Sequence, residues 1–331
     1  MGMTMSDTPA PQLTALAPFV RILGRGKSFQ RDLTAQEAEE AMGIVLRGEA
    51  DAHATGALLM LLRMKGETAD EIAGFVRAAR HHAPVTPEGP AVALDWPTYA
   101  AGRTRGLPWF LLAAKLVASA GYPVLLHGWN SHQNPVASVR DALGPLGIPV
   151  ADTARPDLTG GIAYLPLETF SPALFALLRL RDVLGLRSCI NTVLRVLDPA
   201  GAKVAVQGVF HPPYRDLQMD AAARLGQASV TIIKGAGGEF ERNPAKDAPL
   251  FGLREGRPHE ALYPALLEGH TRLADGPARS DPAALADLWR GAWDDDFARS
   301  MALGTADLAL ATLGAPFDAA DLWDSRDRAL S

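Results

Sequence analysis

The sequence predicts an α/β protein with a small N-terminal all-helical domain and a larger α/β domain built on a mainly parallel sheet. Three observations carry that prediction. Two capping boxes, at Thr34 and Thr68, open apolar-periodic runs near the N-terminus. A Pro-rich stretch from Ala83 to Pro90 ends the helical period. Beyond it, short apolar strands alternate with helical segments, as a parallel sheet with helical crossovers requires.

The elements follow in order. Leu16 to Leu23 has helical spacing and stops at Gly24-Arg25-Gly26-Lys27. Thr34 and Glu37 form the first capping box; Ala38, Ala41, Met42, Val45 and Leu46 make its apolar stripe. His53 to Met64 is apolar nearly all round, which predicts a buried helix. Thr68 and Glu71 open a third capped helix through Arg80. After the linker, Val92 to Asp95 reads as a strand, Leu107 to Ala120 as a helix and Tyr122 to Leu126 as a strand. Val136 to Leu143 is helical, Gly161 to Leu165 extended, and Ala173 to Leu184 helical. Val204–Phe210 and Ser229–Ile233 are strands flanking a helix from Met219 to Leu225, and Pro282 to Leu313 is helical. Residues 1–15 read as a disordered tail, 16–83 with about 168–195 as the helical domain, and 91–167 with 200–331 as the α/β domain.

With 331 residues, 48% of them hydrophobic, the chain can bury a sizeable core in two domains. A net charge of −5 gives no global basic field, so nucleic acid or an anionic membrane could be met only through local patches. The one cysteine, Cys189, allows no internal disulfide and fits a reducing cytoplasm. Met1 to Pro11 has no signal-peptide pattern, and no segment reads as a membrane span.

The string LTAQEAEEAMGIVLRGEADAHATGALLMLLRMKGETADEIAGFVRAAR, Leu33 to Arg80, resembles the N-terminal helical domain of glycosyltransferase family 3, the anthranilate phosphoribosyltransferase-like family. YPVLLHG, RDVLGLRSCINTVLRVLDPAG and VAVQGVFHPPY follow in that family's order. The resemblance implies a nucleoside phosphorylase/phosphoribosyltransferase-like architecture, a cleft between the domains and a homodimer joined through the helical domain. The stripe at Ala38, Ala41 and Val45, with Leu58 to Leu62, offers apolar surface for that dimer.

The resemblance also implies a Gly-rich diphosphate loop after the first strand, where backbone N–H groups approach phosphate closely. Here that place reads Asp95-Trp96-Pro97-Thr98-Tyr99-Ala100-Ala101-Gly102-Arg103. Pro97 has no N–H to offer, and Trp96 and Tyr99 are bulky. The family's Asn-x-Ser-Thr becomes Leu107-Pro108-Trp109-Phe110, and its Lys-His-Gly-Asn-Arg becomes Leu126-His127-Gly128-Trp129-Asn130. Arg181 stands for the arginine of the substrate-binding helix, and Arg187 with Asn191 for Arg-Thr-x-x-Asn. In place of the Asp-Glu pair that holds magnesium stands Lys234-Gly235-Ala236-Gly237-Gly238-Glu239-Phe240-Glu241, where Glu239 or Glu241 is a weak candidate ligand. These departures resemble the YbiB-like branch, which is associated with sequence-independent nucleic-acid binding by a dimer.

Structural readings stand beside the functional ones. His127 is equally a buried, satisfied histidine, and His81-His82 a solvated helix end. Cys189 reads as a packed thiol. Trp96, Tyr99, Trp109 and Trp129 fill core more readily than they stack on bases. Asp294-Asp295-Asp296 reads as a helix start.

The sequence thus predicts a non-catalytic or weakly catalytic homologue that binds polyanions, most simply single-stranded nucleic acid. The expected contacts are Arg103, Arg105, Lys115, Lys234, His127, Arg181, Arg187 and Asn191, with Trp129 or Tyr99 stacking on a base. Phosphoribosyl pyrophosphate is not an expected ligand, and no cofactor is expected. The alternative is phosphoribosyl transfer to a small aromatic or nucleobase-like acceptor, which alone would need Mg²⁺.

Overall fold

A computed structural model describes residues 14–26, 28–99, 106–129, 138–268 and 281–330. Four helices open it: α1 (Ala17–Gly24), α2 (Ala35–Leu46), α3 (Ala52–Lys65) and α4 (Ala69–His82). Both expected capping boxes are formed. The Thr34 hydroxyl accepts from Glu37 N at 3.2 Å and the Glu37 carboxylate from Thr34 N at 2.9 Å. The Thr68 and Glu71 pair repeats this at 3.3 and 2.8 Å. Such caps satisfy N–H groups that a helix start cannot pair internally, at about 1 kcal/mol each. Glu71 does more. Fully buried, it also accepts from Leu33 N at 2.9 Å and from the Lys65 ammonium at 3.0 Å, tying α4 to the start of α2 and the end of α3.

Helices α2 and α4 cross closely at Gly74, where a Cβ would strike the Ala35 carbonyl oxygen and lie 2.8 Å from the Ala38 Cβ. Gly74→Ala should therefore destabilise the protein by about 1–3 kcal/mol through overpacking. In an uncrowded helix the same change stabilises by up to about 1 kcal/mol. The sign of the melting-temperature shift decides between these, and a rise would mean the crossing is looser than this.

Much of the apolar stripe expected to drive dimerisation packs inside the chain. Ala38, Ala41, Leu58, Leu59 and Leu62 are all buried, and Val45 packs against them. Met60 and Leu61 of the same segment are partly buried, α2 packs on α4 and α3 on α1.

The larger domain holds one seven-stranded sheet. Its strands are β1 (Leu94–Thr98), β2 (Val124–Gly128), β3 (Ile162–Pro166), β4 (Val204–Val209), β5 (Ser229–Lys234), β6 (Ala248–Arg254) and β7 (Arg257–Tyr263). Their order is β3-β2-β1-β4-β5-β6-β7. The first five are parallel; β6 and β7 close one edge antiparallel. The sequence reading did not foresee this hairpin. Its turn is Glu255-Gly256, both at positive φ, as a two-residue hairpin turn demands. Strand β1 also runs on through Pro97, beyond the expected end. Its pairing with β4 covers only Leu94 and Asp95, so Pro97 sits where that ladder has already ended.

Helices α5 (Phe110–Ser119), α6 (Val139–Leu143), α12 (Ala283–Arg290), α13 (Asp296–Leu313) and α14 (Ala319–Ser325) share one core with Leu94, Trp96, Leu126, Val206 and Ile233 of the sheet. The expected C-terminal helix is broken at Gly291, and Asp295 caps α13 by accepting from Ala298 N at 2.8 Å. Leu125, Ala205, Val230 and Ile232 point the other way. They pack with α1–α4, α7 (Leu167–Phe170), α8 (Pro172–Arg179), α10 (Ile190–Val196) and α11 (Tyr214–Arg224). The short helix α9 (Arg181–Leu184) lies between α8 and α10. Among the described residues no helix is long and apolar enough to cross a membrane.

Candidate functional site: an arginine-lined cleft

On the α1–α4 side of the sheet, a cleft of about 430 Å³ opens beside the C-terminal end of β4. Arg63 reaches it from α3, Arg187 from the segment before α10, and Asn191 and Arg195 from α10 itself. Phe210 and His211 follow β4, and Tyr214 starts α11. Arg63 Nη1 donates to the Arg187 carbonyl at 2.5 Å, which joins the helical domain to the cleft wall. Among the described residues, no carboxylate lies in ion-pair distance of Arg63, Arg187 or Arg195. Burial lowers the Arg187 guanidinium below its usual pKa, and the neighbouring charges of Arg181 and Arg63 lower it further. Burial also lowers Arg195; Glu239 opposes that shift and Arg187 adds to it. The guanidiniums thus repel one another in a partly desolvated place. Phe210 and Tyr214 stay exposed beside them.

Next to the cleft, the turn after β5 folds back over the sheet. It can do so because Gly208 and Gly235 carry no side chains: a Cβ on either would run into the backbone of Glu239. The turn delivers Glu241 into the interior, fully buried, where its Oε2 accepts from Phe110 N at 2.9 Å. Phe110 is the first residue of α5, whose own N-cap Trp109 supplies no side-chain bond. A carboxylate distant in sequence therefore satisfies this helix start and complements its dipole.

The expected contacts divide. Arg187 and Asn191 line the cleft, and Arg181 stands close enough to lower the Arg187 pKa without lining it. Trp129 is part-buried, edge-to-face on Phe175 at 5.4 Å with the Arg179 guanidinium 5.9 Å from its ring. Lys234 is exposed but belongs to a separate hollow of about 260 Å³ with Arg242 and Lys246. Lys115 is misplaced by the sequence reading: its ammonium lies 5.2 Å over the Trp289 ring, among the helices on the opposite face of the sheet. His127 is no exposed ligand either. It is completely buried, with Nδ1 3.0 Å from the Tyr99 hydroxyl and Nε2 3.2 Å from Asp95 Oδ1, the latter in ion-pair reach but poorly aligned for a hydrogen bond. Tyr99, committed to His127 and 3% exposed, cannot stack on a base; Trp96 and Trp109 are core. Arg103 and Arg105 lie outside the described residues.

Glu239 and Glu241 are both buried in the structure. Glu241 is held at the start of α5, Glu239 is buried under the turn, and the described residues contain no group of three or more His, Cys, Asp or Glu placed to hold an ion. The sequence reading missed Arg63, Phe210, His211 and Tyr214. The only signal was that Phe210 to Tyr214 end one family-like string and Arg63 lies inside another.

Residues 17–83 match the family description "Glycosyl transferase family, helical bundle domain". Anthranilate phosphoribosyltransferase of Gluconobacter oxydans is 30% identical over 297 residues, covering 85% of this chain and 80% of that protein. This chain belongs to the anthranilate phosphoribosyltransferase-like family of glycosyltransferases. The fold agrees. The crystal structure of anthranilate phosphoribosyltransferase from Thermus thermophilus superposes with a TM-score of 0.74 at 24% identity, over 94% of this chain and 92% of that one. The Saccharomyces cerevisiae protein, in complex with PRPP and Mg, gives 0.70 at 17% identity, over 93% and 91%. Within this family fold, the arginine cleft lies between the helical domain and the C-terminal ends of the strands, where open α/β sheets place their ligands.

Proposed function

We propose that this family member binds single-stranded nucleic acid through its phosphates, without reading sequence, and has lost or nearly lost phosphoribosyl transfer. The observation that carries this reading is the cleft itself. Three arginines from three chain segments converge with no carboxylate in ion-pair distance among the described residues, and two exposed aromatic rings stand beside them. Guanidiniums that track phosphates, with rings that stack on any base, are what sequence-tolerant single-strand binding needs. The loss of catalysis rests on Glu241. The resemblance puts a phosphate-binding Asn-x-Ser-Thr at the mouth of α5, where this chain has Trp109-Phe110 and a buried carboxylate. The Phe110 N–H, which a phosphate at this helix start would use, is already taken by the Glu241 carboxylate. These features agree with the YbiB-like branch. The homodimer is part of the same proposal, with the exposed Met64, Val183 and Leu186 as apolar surface open to a second copy.

The alternative, phosphoribosyl transfer to a small aromatic acid, takes its support from the names of the relatives and from Arg187 and Asn191 in the cleft. Two titrations separate the readings. Labelled single-stranded DNA should bind, and its affinity should fall several-fold from about 50 to about 200 mM salt, with a slope of about 0.7 for each phosphate neutralised. Anthranilate with phosphoribosyl pyrophosphate and Mg²⁺ should give no product. Turnover of that mixture, with no DNA retained at the lower salt, refutes the proposal.

A further inference from the structure

We infer that the arginine cleft seats the terminal phosphomonoester of a nucleic-acid strand, rather than a phosphodiester within it. The inference rests on the nucleic-acid reading and sharpens it. The cavity, about 430 Å³, lies near the lower limit of small-ligand pockets and is sized for one terminal group more than for a run of nucleotides. Into that one space come Arg63, Arg187 and Arg195, with Asn191 as a further polar partner. An internal phosphodiester carries a single negative charge and two free oxygens. A terminal phosphomonoester carries nearly two charges at neutral pH and three acceptor oxygens. Three guanidiniums match the second inventory and exceed the first.

The surroundings agree. Part-buried Arg187 and Arg195 stand close enough to disfavour each other's charge, so a dianion between them relieves more repulsion than a monoanion. Glu239 offsets only part of that positive charge, and it acts on Arg195. Phe210 and Tyr214 are exposed at the same cavity, in place for the base of the terminal nucleotide. The hollow at Lys234, Arg242 and Lys246 is different in kind. Asp247 lines it, whereas among the described residues no carboxylate lines the arginine cleft.

The test compares one labelled oligonucleotide with a 5′-phosphate, a 3′-phosphate or hydroxyls at both ends, at equal salt. A phosphorylated end should bind roughly tenfold more tightly, one extra charge-assisted contact being worth about 1.4 kcal/mol. A nucleoside 5′-monophosphate should compete with it, and the unphosphorylated nucleoside should not. Arg63 is exposed and R63A loses one hydrogen bond, to the Arg187 carbonyl, so with its melting temperature checked the preference in it should fall towards one. Equal affinity for all three oligonucleotides overturns this inference and leaves the nucleic-acid reading standing. Binding of none of them overturns both. A preference that survives unchanged in R63A places the phosphate elsewhere and overturns the assignment to this cleft.

Discussion

The variant lacking both Arg63 and Arg187 should lose single-stranded DNA binding by roughly one to two orders of magnitude, with a flatter salt slope. The two side chains belong to different domains but line one cleft, and no carboxylate is in ion-pair distance of either among the described residues. Their removal frees no buried acid and breaks one hydrogen bond, from Arg63 to the Arg187 carbonyl, so the fall in melting temperature should be small beside the loss of binding. That loss of binding should be the same for all sequences, because guanidiniums on phosphates read charge and not bases. Retention assays over a salt series on several unrelated oligonucleotides measure all three features. Arg103 and Arg105 supply the counter-test. If their double replacement abolishes binding while R63A/R187A leaves it intact, the phosphates are held at the loop after β1 and the cleft is the wrong site.

Glu241→Ala should cost about 2–3 kcal/mol of stability, seen as a fall in melting temperature or in the denaturant midpoint. Its carboxylate accepts from Phe110 N at the start of α5, deep in the core. Removing it strands a buried donor, at about 1–3 kcal/mol, and takes a negative charge from a buried helix N-terminus. Glu241→Gln keeps an acceptor and loses only the charge, so it should cost roughly half as much. If both variants melt like the parent, Glu241 does not anchor α5, and the argument that it excludes a diphosphate there fails with it.

The helical domain was legible because its signals are local. Thr34 with Glu37 and Thr68 with Glu71 are three residues apart, and a capping box is complete within its own turn. Parallel strands β2, β4 and β5 were legible as short apolar runs between helices. The β6–β7 hairpin was not. Its strands alternate weakly, with Pro249, Gly252 and Pro258 inside them, and its Glu-Gly turn is not among the strongest hairpin signals. Arg187 and Asn191, which the family-like strings singled out, line the cleft. Lys115 failed because a helix carries its residues to all sides, and which side faces the cleft depends on how α5 lies on the sheet. His127 failed for a similar reason. Its strand position was readable, but Tyr99 and Asp95 closing around its ring were not.

The sequence by itself determined the helical domain, the alternation that makes a parallel sheet, the family, and the absence of the usual glycine loop and acidic pair. Each of these is written in neighbouring residues or in an unbroken string. Only the tertiary structure decided where the charges went. It brought Arg63, Arg187 and Arg195 to one cleft, sent Lys115 to the far face, and turned Glu241 inward onto Phe110, 131 residues away in sequence. Charge position depends on packing between distant segments: bare glycines at Gly208 and Gly235 let one turn fold over the sheet, and burial then fixed which carboxylate met which donor.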